Sequence, residues 1–84
     1  MPELSRFYGI VVRMYLEDKE HNPPHIHAKY GSKAATINIT TGDVITGELP
    51  PNAQSLVKKW VLLHSEEIKD VWNKQEFKKI KPLE

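Results

Sequence analysis

Three of the four histidines fall within seven residues, as His21-x-x-x-His25-x-His27, on a stretch that Pro23-Pro24 stiffens. Imidazole changes charge near neutrality, so two histidines on one surface can divide general-base and general-acid work. If His25 to Tyr30 is extended, alternation puts His25, His27 and Lys29 on one face and Ile26, Ala28 and Tyr30 on the other. Lys29 then shares a surface with both imidazoles, and Arg13 joins from the preceding strand if the register allows. Either cation would stabilise charge developing on a phosphate during RNA cleavage. Tyr8 or Tyr15 offers a face on which a nucleic-acid base can stack. Candidate catalytic residues are thus His25, His27, Arg13 and Lys29, and candidate binding residues are Tyr8, Tyr15 and His21.

The same residues admit two other readings. A His-x-His pair on a strand presents two imidazoles to one divalent ion, with His21 curling back as a third ligand. No carboxylate stands at a recognised ligand spacing beside the trio, so no metal or other cofactor is expected. Alternatively the imidazoles bond to backbone groups or face water, and the exposed side of a one-layer sheet docks a partner chain without catalysis.

The elements that must position these residues can be read from periodicity. Phe7 to Leu16, rich in β-branched and aromatic residues, reads as one strand ending at the charged run Glu17-Asp18-Lys19-Glu20. His21 to Pro24 cannot be helical, because proline removes a donor and pushes the residue before it into extended geometry. His25 to Tyr30 is a second strand. Gly31-Ser32 offers a tight turn, and Ala35, Ile37 and Ile39 then alternate with Thr36, Asn38 and Thr40 as a third. After Thr41-Gly42-Asp43, a weaker fourth strand runs from Val44 to Glu48 and stops at Pro50-Pro51.

From Asn52 the period becomes helical. Ala53, Leu56, Val57, Trp60, Val61 and His64 form one stripe, with Asn52 as expected N-cap; Ile68, Val71 and Trp72 continue it after a second cap at Ser65-Glu66-Glu67. A straight helix over 53–74 would run roughly 33 Å at 1.5 Å per residue, too long for so small a molecule, which places a break between Leu63 and Ser65. His64 on that stripe reads as a packing residue or a donor to a helix end, and Trp60 and Trp72 as anchors of the helices on the sheet. Lys58-Lys59 and Lys78-Lys79-Lys81 read as solvated faces interspersed with acids. Residues 77–84 read as a loosely attached tail.

Composition narrows the function classes. With 84 residues, 39% of them hydrophobic, the expectation is one small domain with a modest core. Net charge of +1 does not favour a generalised nucleic-acid-binding surface, so any cationic patch must be local. The absence of cysteine excludes disulfides and thiolate metal sites. No apolar run approaches the ~20 residues needed to span a bilayer, and Met1-Pro2-Glu3-Leu4 does not begin a signal peptide, which makes a cytoplasmic location the expectation.

Ser5-Arg6-Phe7-Tyr8-Gly9-Ile10-Val11-Val12-Arg13-Met14-Tyr15, followed by His21-Asn22-Pro23-Pro24-His25-Ile26-His27-Ala28-Lys29-Tyr30, resembles the bacterial family of domain of unknown function 4160. The resemblance extends through Gly47-Glu48-Leu49-Pro50 to Trp60, Leu63-His64 and Trp72. It implies a small cytoplasmic bacterial protein, encoded beside a second small protein and acting as the toxin of a type II toxin–antitoxin pair. It carries over no catalytic residue.

The combined expectation is an α+β fold: a three- or four-stranded antiparallel sheet over 6–48, two C-terminal helices over 52–76 packed on one face, and a tail over 77–84. The expected core is Ile10, Val12, Met14, Ile26, Ala28, Ile37, Ile39, Leu56, Val57, Trp60, Val61, Ile68, Val71 and Trp72. The expected activity is toxin-like, on RNA or translation, through the histidine-bearing sheet face. The alternatives are a non-enzymatic protein-interaction domain and a His-ligated metal-binding domain. A cognate antitoxin-like protein is the expected partner, with RNA a second; neither a membrane partner nor an oligomeric state follows from these residues.

Overall fold

The structure, a computed structural model, describes residues 3–15 and 23–83. Five strands, β1 (Glu3–Phe7), β2 (Ile10–Arg13), β3 (His25–Tyr30), β4 (Lys33–Asn38) and β5 (Val44–Gly47), precede two helices, α1 (Pro51–Leu63) and α2 (Ser65–Lys74). The strands form one antiparallel meander in the order β1-β2-β3-β4-β5. The class is the expected α+β, with one strand more than expected.

The extra strand corrects the reading of Phe7 to Leu16 as continuous. Tyr8 and Gly9 both have positive φ, 48° and 80°, the geometry of a two-residue hairpin turn. The turn folds Glu3–Phe7 back on Ile10–Arg13, pairing Phe7 with Ile10 and Glu3 with Arg13. A side chain at position 9 would meet the Tyr30 ring at 3.1 Å. Tyr30 therefore lies over the turn, on the helix side to which alternation assigned it but 41% exposed at the end of the sheet. Leu16 is outside the described residues.

The inner face of the sheet carries Leu4, Phe7, Ile10, Val12, Ile26, Ala28, Ala35 and Ile37, which join the helical stripe Ala53, Val57, Trp60, Val61, Ile68, Val71 and Trp72 in one apolar core. Phe7 and Trp60 meet across this junction with ring centroids 5.5 Å apart. Of the expected core residues, all are buried except Leu56, which packs half-buried against the cluster. The unforeseen members Leu4 and Phe7 follow from the extra strand.

The helix boundaries depart from expectation at both caps. Pro51 opens α1 and Pro50 is its N-cap, so Asn52 lies inside the first turn and makes no cap bond. Proline suits that position because its missing N–H is unpaired there anyway. The break falls at His64, as length required: the molecule's longest dimension is 30 Å. His64, not Ser65, is the N-cap of α2, while Glu66 and Glu67 fill the first turn where the helix dipole favours acids.

The segment after α2 corrects a second expectation. Residues 76–83 have no helix or strand, yet they are firmly docked. The Ile80 N–H donates to Leu4 O at 2.8 Å, the Trp60 indole N–H donates to Lys81 O at 2.8 Å, and Ile80 and Leu83 are buried. No helix among the described residues is long and apolar enough to cross a membrane.

Candidate functional site

The outer face of the sheet is ordered by register. Arg13 pairs with His27, His27 with Thr36 and Thr36 with Thr46, while Glu3 flanks Arg13 from β1, so these five residues form a row across all five strands. Two residues along each central strand lies a second row, Arg6–Val11–Lys29–Ala34. The antiparallel ladder thus delivers Arg13 beside His27, the juxtaposition that sequence reading had to assume. Same-face neighbours stand ~4.8 Å apart across strands and ~6.6 Å apart along one.

Between the rows lies an open groove of about 210 Å³, lined among others by Arg13, Tyr15, His27, Lys29, Thr36 and Thr46. Tyr15 meets the His27 ring edge-on, centroids 4.3 Å apart. His25 lies on the other side of His27 at 5.3 Å, also edge-on. Both imidazoles therefore share a surface, as alternation requires, and both are half-buried.

His25 is more constrained than the sequence suggested. Its Nδ1–H donates to Pro23 O at 2.8 Å, which places the neutral ring's lone pair on Nε2. Its ring also lies 5.2 Å from that of Trp72, so α2 buttresses the first residue of β3. The Pro-Pro lead-in thus orients an imidazole through a backbone carbonyl.

Charge around the groove is mostly cationic. Glu3 is claimed by Arg6, whose guanidinium donates to it at 2.9 Å; that bond holds the Glu3 carboxyl below its usual range and raises Arg6. The buried Nε of Arg13 has no hydrogen-bond partner among the described residues. Lys29 is exposed one row away.

Not every expected residue joins this surface. Tyr8, 60% exposed at the hairpin turn, lines a separate cleft with Tyr30, Pro50 and Leu56 on the helix side of the sheet end. It is therefore not part of the groove. His21 lies outside the described residues. Among those described, no group of three or more His, Asp or Glu residues is close enough to hold a metal ion. The sequence reading also missed Val11, Ala34, Thr36 and Thr46 as groove residues; their outward alternation was the available signal, and only register turned it into proximity.

His64 takes the packing role foreseen for it. Its side chain is 13% exposed, its ring lies 5.7 Å from Trp60, and its Nδ1–H donates to Glu67 Oε1 at 3.0 Å. The lysines behave as solvated partners of acids, Lys58 with Asp43, Lys74 with Asp70 and Lys78 with Glu67.

Residues 9–73 match the model of a family described as Domain of unknown function (DUF4160). The chain belongs to the DUF4160 family. The matched region includes β2 to β5, the whole of α1 and nearly all of α2, and hence the His25, His27, Arg13 and Lys29 surface; β1 and the docked segment after α2 flank it. No curated protein and no solved structure is significantly similar to this DUF4160 member.

Proposed function

We propose that this DUF4160 domain acts on RNA through the outer face of its sheet, as the toxin-like component of a two-protein system. The observation that carries the reading is the convergence of Arg13, His27, Lys29 and Tyr15 on one groove, with His25 beside His27. Arg13 and Lys29 are placed to hold a phosphate, since a guanidinium and an ammonium on adjacent rows can contact its separate oxygens. His27 removes the 2′-hydroxyl proton as that oxygen attacks phosphorus. Protonated His25 gives its Nε2 proton to the departing 5′-oxygen as the P–O5′ bond breaks. A cognate small protein would silence the activity by covering this face.

The test is incubation of the purified chain with a single-stranded RNA carrying a 5′ label, beside His27→Ala and Arg13→Ala variants. The reading expects cleavage to 2′,3′-cyclic ends by the parent chain, a loss of at least a hundredfold with His27→Ala, and growth arrest only by the active form. Folded, abundant protein that neither cleaves RNA nor arrests growth would end it.

A specific observation supports a second reading, a non-enzymatic protein-interaction domain. Leu62 and Leu63, consecutive at the end of α1, are 51% and 66% exposed, and large exposed apolar side chains suit a docking surface. Retention of partner binding by a His25→Ala, His27→Ala double variant, with loss on Leu62→Ser, Leu63→Ser, would favour it. The metal-binding alternative is separated by elemental analysis of untagged protein: a metal-to-protein ratio near zero would end it.

A further inference from the structure

The groove is divided chemically along the strand direction. Its Arg13 row is cationic and polar, with His27, Thr36 and Thr46; its Lys29 row has an apolar floor on either side of the lysine, Val11 in β2 and Ala34 in β4. Ala34 is small and exposed on the outer face, and Gly47 beside it has no side chain to fill the space. One row is separated from the next by ~6.6 Å, comparable to the span between a nucleotide's phosphate and its base.

We infer that this groove takes RNA one unpaired nucleotide at a time, its phosphate on Arg13 and its base laid against Ala34, where Gly47 leaves space beside the Lys29 row. The inference rests on the RNA reading and specifies the substrate as single-stranded. A base within a duplex has both faces stacked on its neighbours and its edge paired, so it cannot lie against a protein surface. A base in a single strand has a free face and gains van der Waals contact and desolvation on an apolar floor. A groove of about 210 Å³ has room for a nucleoside-sized group. The cations supply attraction to any phosphate, and the floor supplies the discrimination.

Fluorescence anisotropy tests this with a labelled 2′-O-methyl oligonucleotide, which the proposed chemistry cannot cleave, as a single strand and as a blunt duplex with its full-length complement. The expected result is at least tenfold tighter binding of the single strand. Ala34→Leu, which fills the floor, should weaken single-strand binding about tenfold and leave duplex binding, which does not use the floor, unchanged. If thermal melting shows that this variant is not folded, Ala34→Val fills the same space with a strand-compatible side chain. Equal affinity for both forms, or indifference of the single strand to the floor variants, overturns the inference while leaving the RNA reading in place. Failure of the parent chain to bind either form overturns both.

Discussion

Arg13 is a residue whose roles in folding and in function pull in opposite directions. Its Nε is buried without a partner among the described residues, and a desolvated donor left in that state costs ~1 to 3 kcal/mol. Arg13→Met should therefore keep or raise the urea midpoint while lowering RNA affinity at least tenfold; a large loss of stability would mean that the guanidinium serves the fold. Ser5 poses the simpler version of this problem, since it is 4% exposed and its hydroxyl also has no partner among the described residues. Ser5→Ala should leave stability unchanged or raise it by up to about 1 kcal/mol in equilibrium unfolding. Gly47 stands at the opposite extreme: its φ is +83°, and a Cβ there would collide with Ala34 O and reach the Ala35 Cα at 2.9 Å. Gly47→Ala should destabilise by ~2 to 4 kcal/mol, because both the backbone conformation and the neighbouring strand resist it. At this scale the sequence exposed much of the site. His25, His27 and Lys29 share a face by alternation alone, whereas the constraint on His25 from Trp72 joins residues far apart in the chain.

Among the elements, the β1–β2 hairpin and the C-terminal segment support each other. Ile80 pairs with Leu4 of β1, and Lys81 accepts the Trp60 indole N–H, so the end of the chain ties the first strand to the first helix. Removing residues 77–84 withdraws the buried Ile80 and Leu83 from the core and should lower stability by ~2 to 4 kcal/mol in urea unfolding. A truncated chain as stable as the full one would show that the docked segment adds little. Neither the hairpin nor the docked segment was evident in the sequence. Phe7 to Leu16 is apolar on both sides of the alternation, so periodicity hides the turn at Tyr8-Gly9, and Gly9 was the only punctuation. Ile80 and Leu83 sit among lysines with no period, and their burial depends on a groove that exists only once β1 and α1 are in place. The helix break, by contrast, was legible from the conflict between stripe length and molecular size.

For the whole molecule, near-neutral charge makes recognition a local matter. With Arg13 and Lys29 as the two phosphate contacts, the logarithm of single-strand affinity should fall with the logarithm of salt concentration at a slope of about −1.4, and Lys29→Ala should bring this to about −0.7. A slope several times steeper would point to the scattered surface lysines instead. Stability should have an acid arm set in part at the α1–α2 corner. The His64 bond lowers the Glu67 pKa from its ordinary value of 4.5, opposed by partial burial and aided by Lys78. A depressed carboxylate stabilises the fold fully above its unfolded value, and that contribution disappears as pH falls through the lower folded value. Urea midpoints measured between pH 6 and about 3 should thus fall less steeply for Glu67→Gln than for the parent chain; parallel curves would remove Glu67 from the account.

The sequence by itself determined the class of the fold, the face on which each β3 side chain lies, the helical stripe and the place of its break. These follow from local rules, the two-residue period of strands and the 3.6-residue period of helices, which need no knowledge of neighbours. Only the tertiary structure decided that Arg13 stands opposite His27, that Thr36 and Thr46 complete their row, that Tyr8 belongs elsewhere and that the last residues close the core. Those are questions of register and long-range contact, and sequence periodicity alone left strand pairing partners and register open.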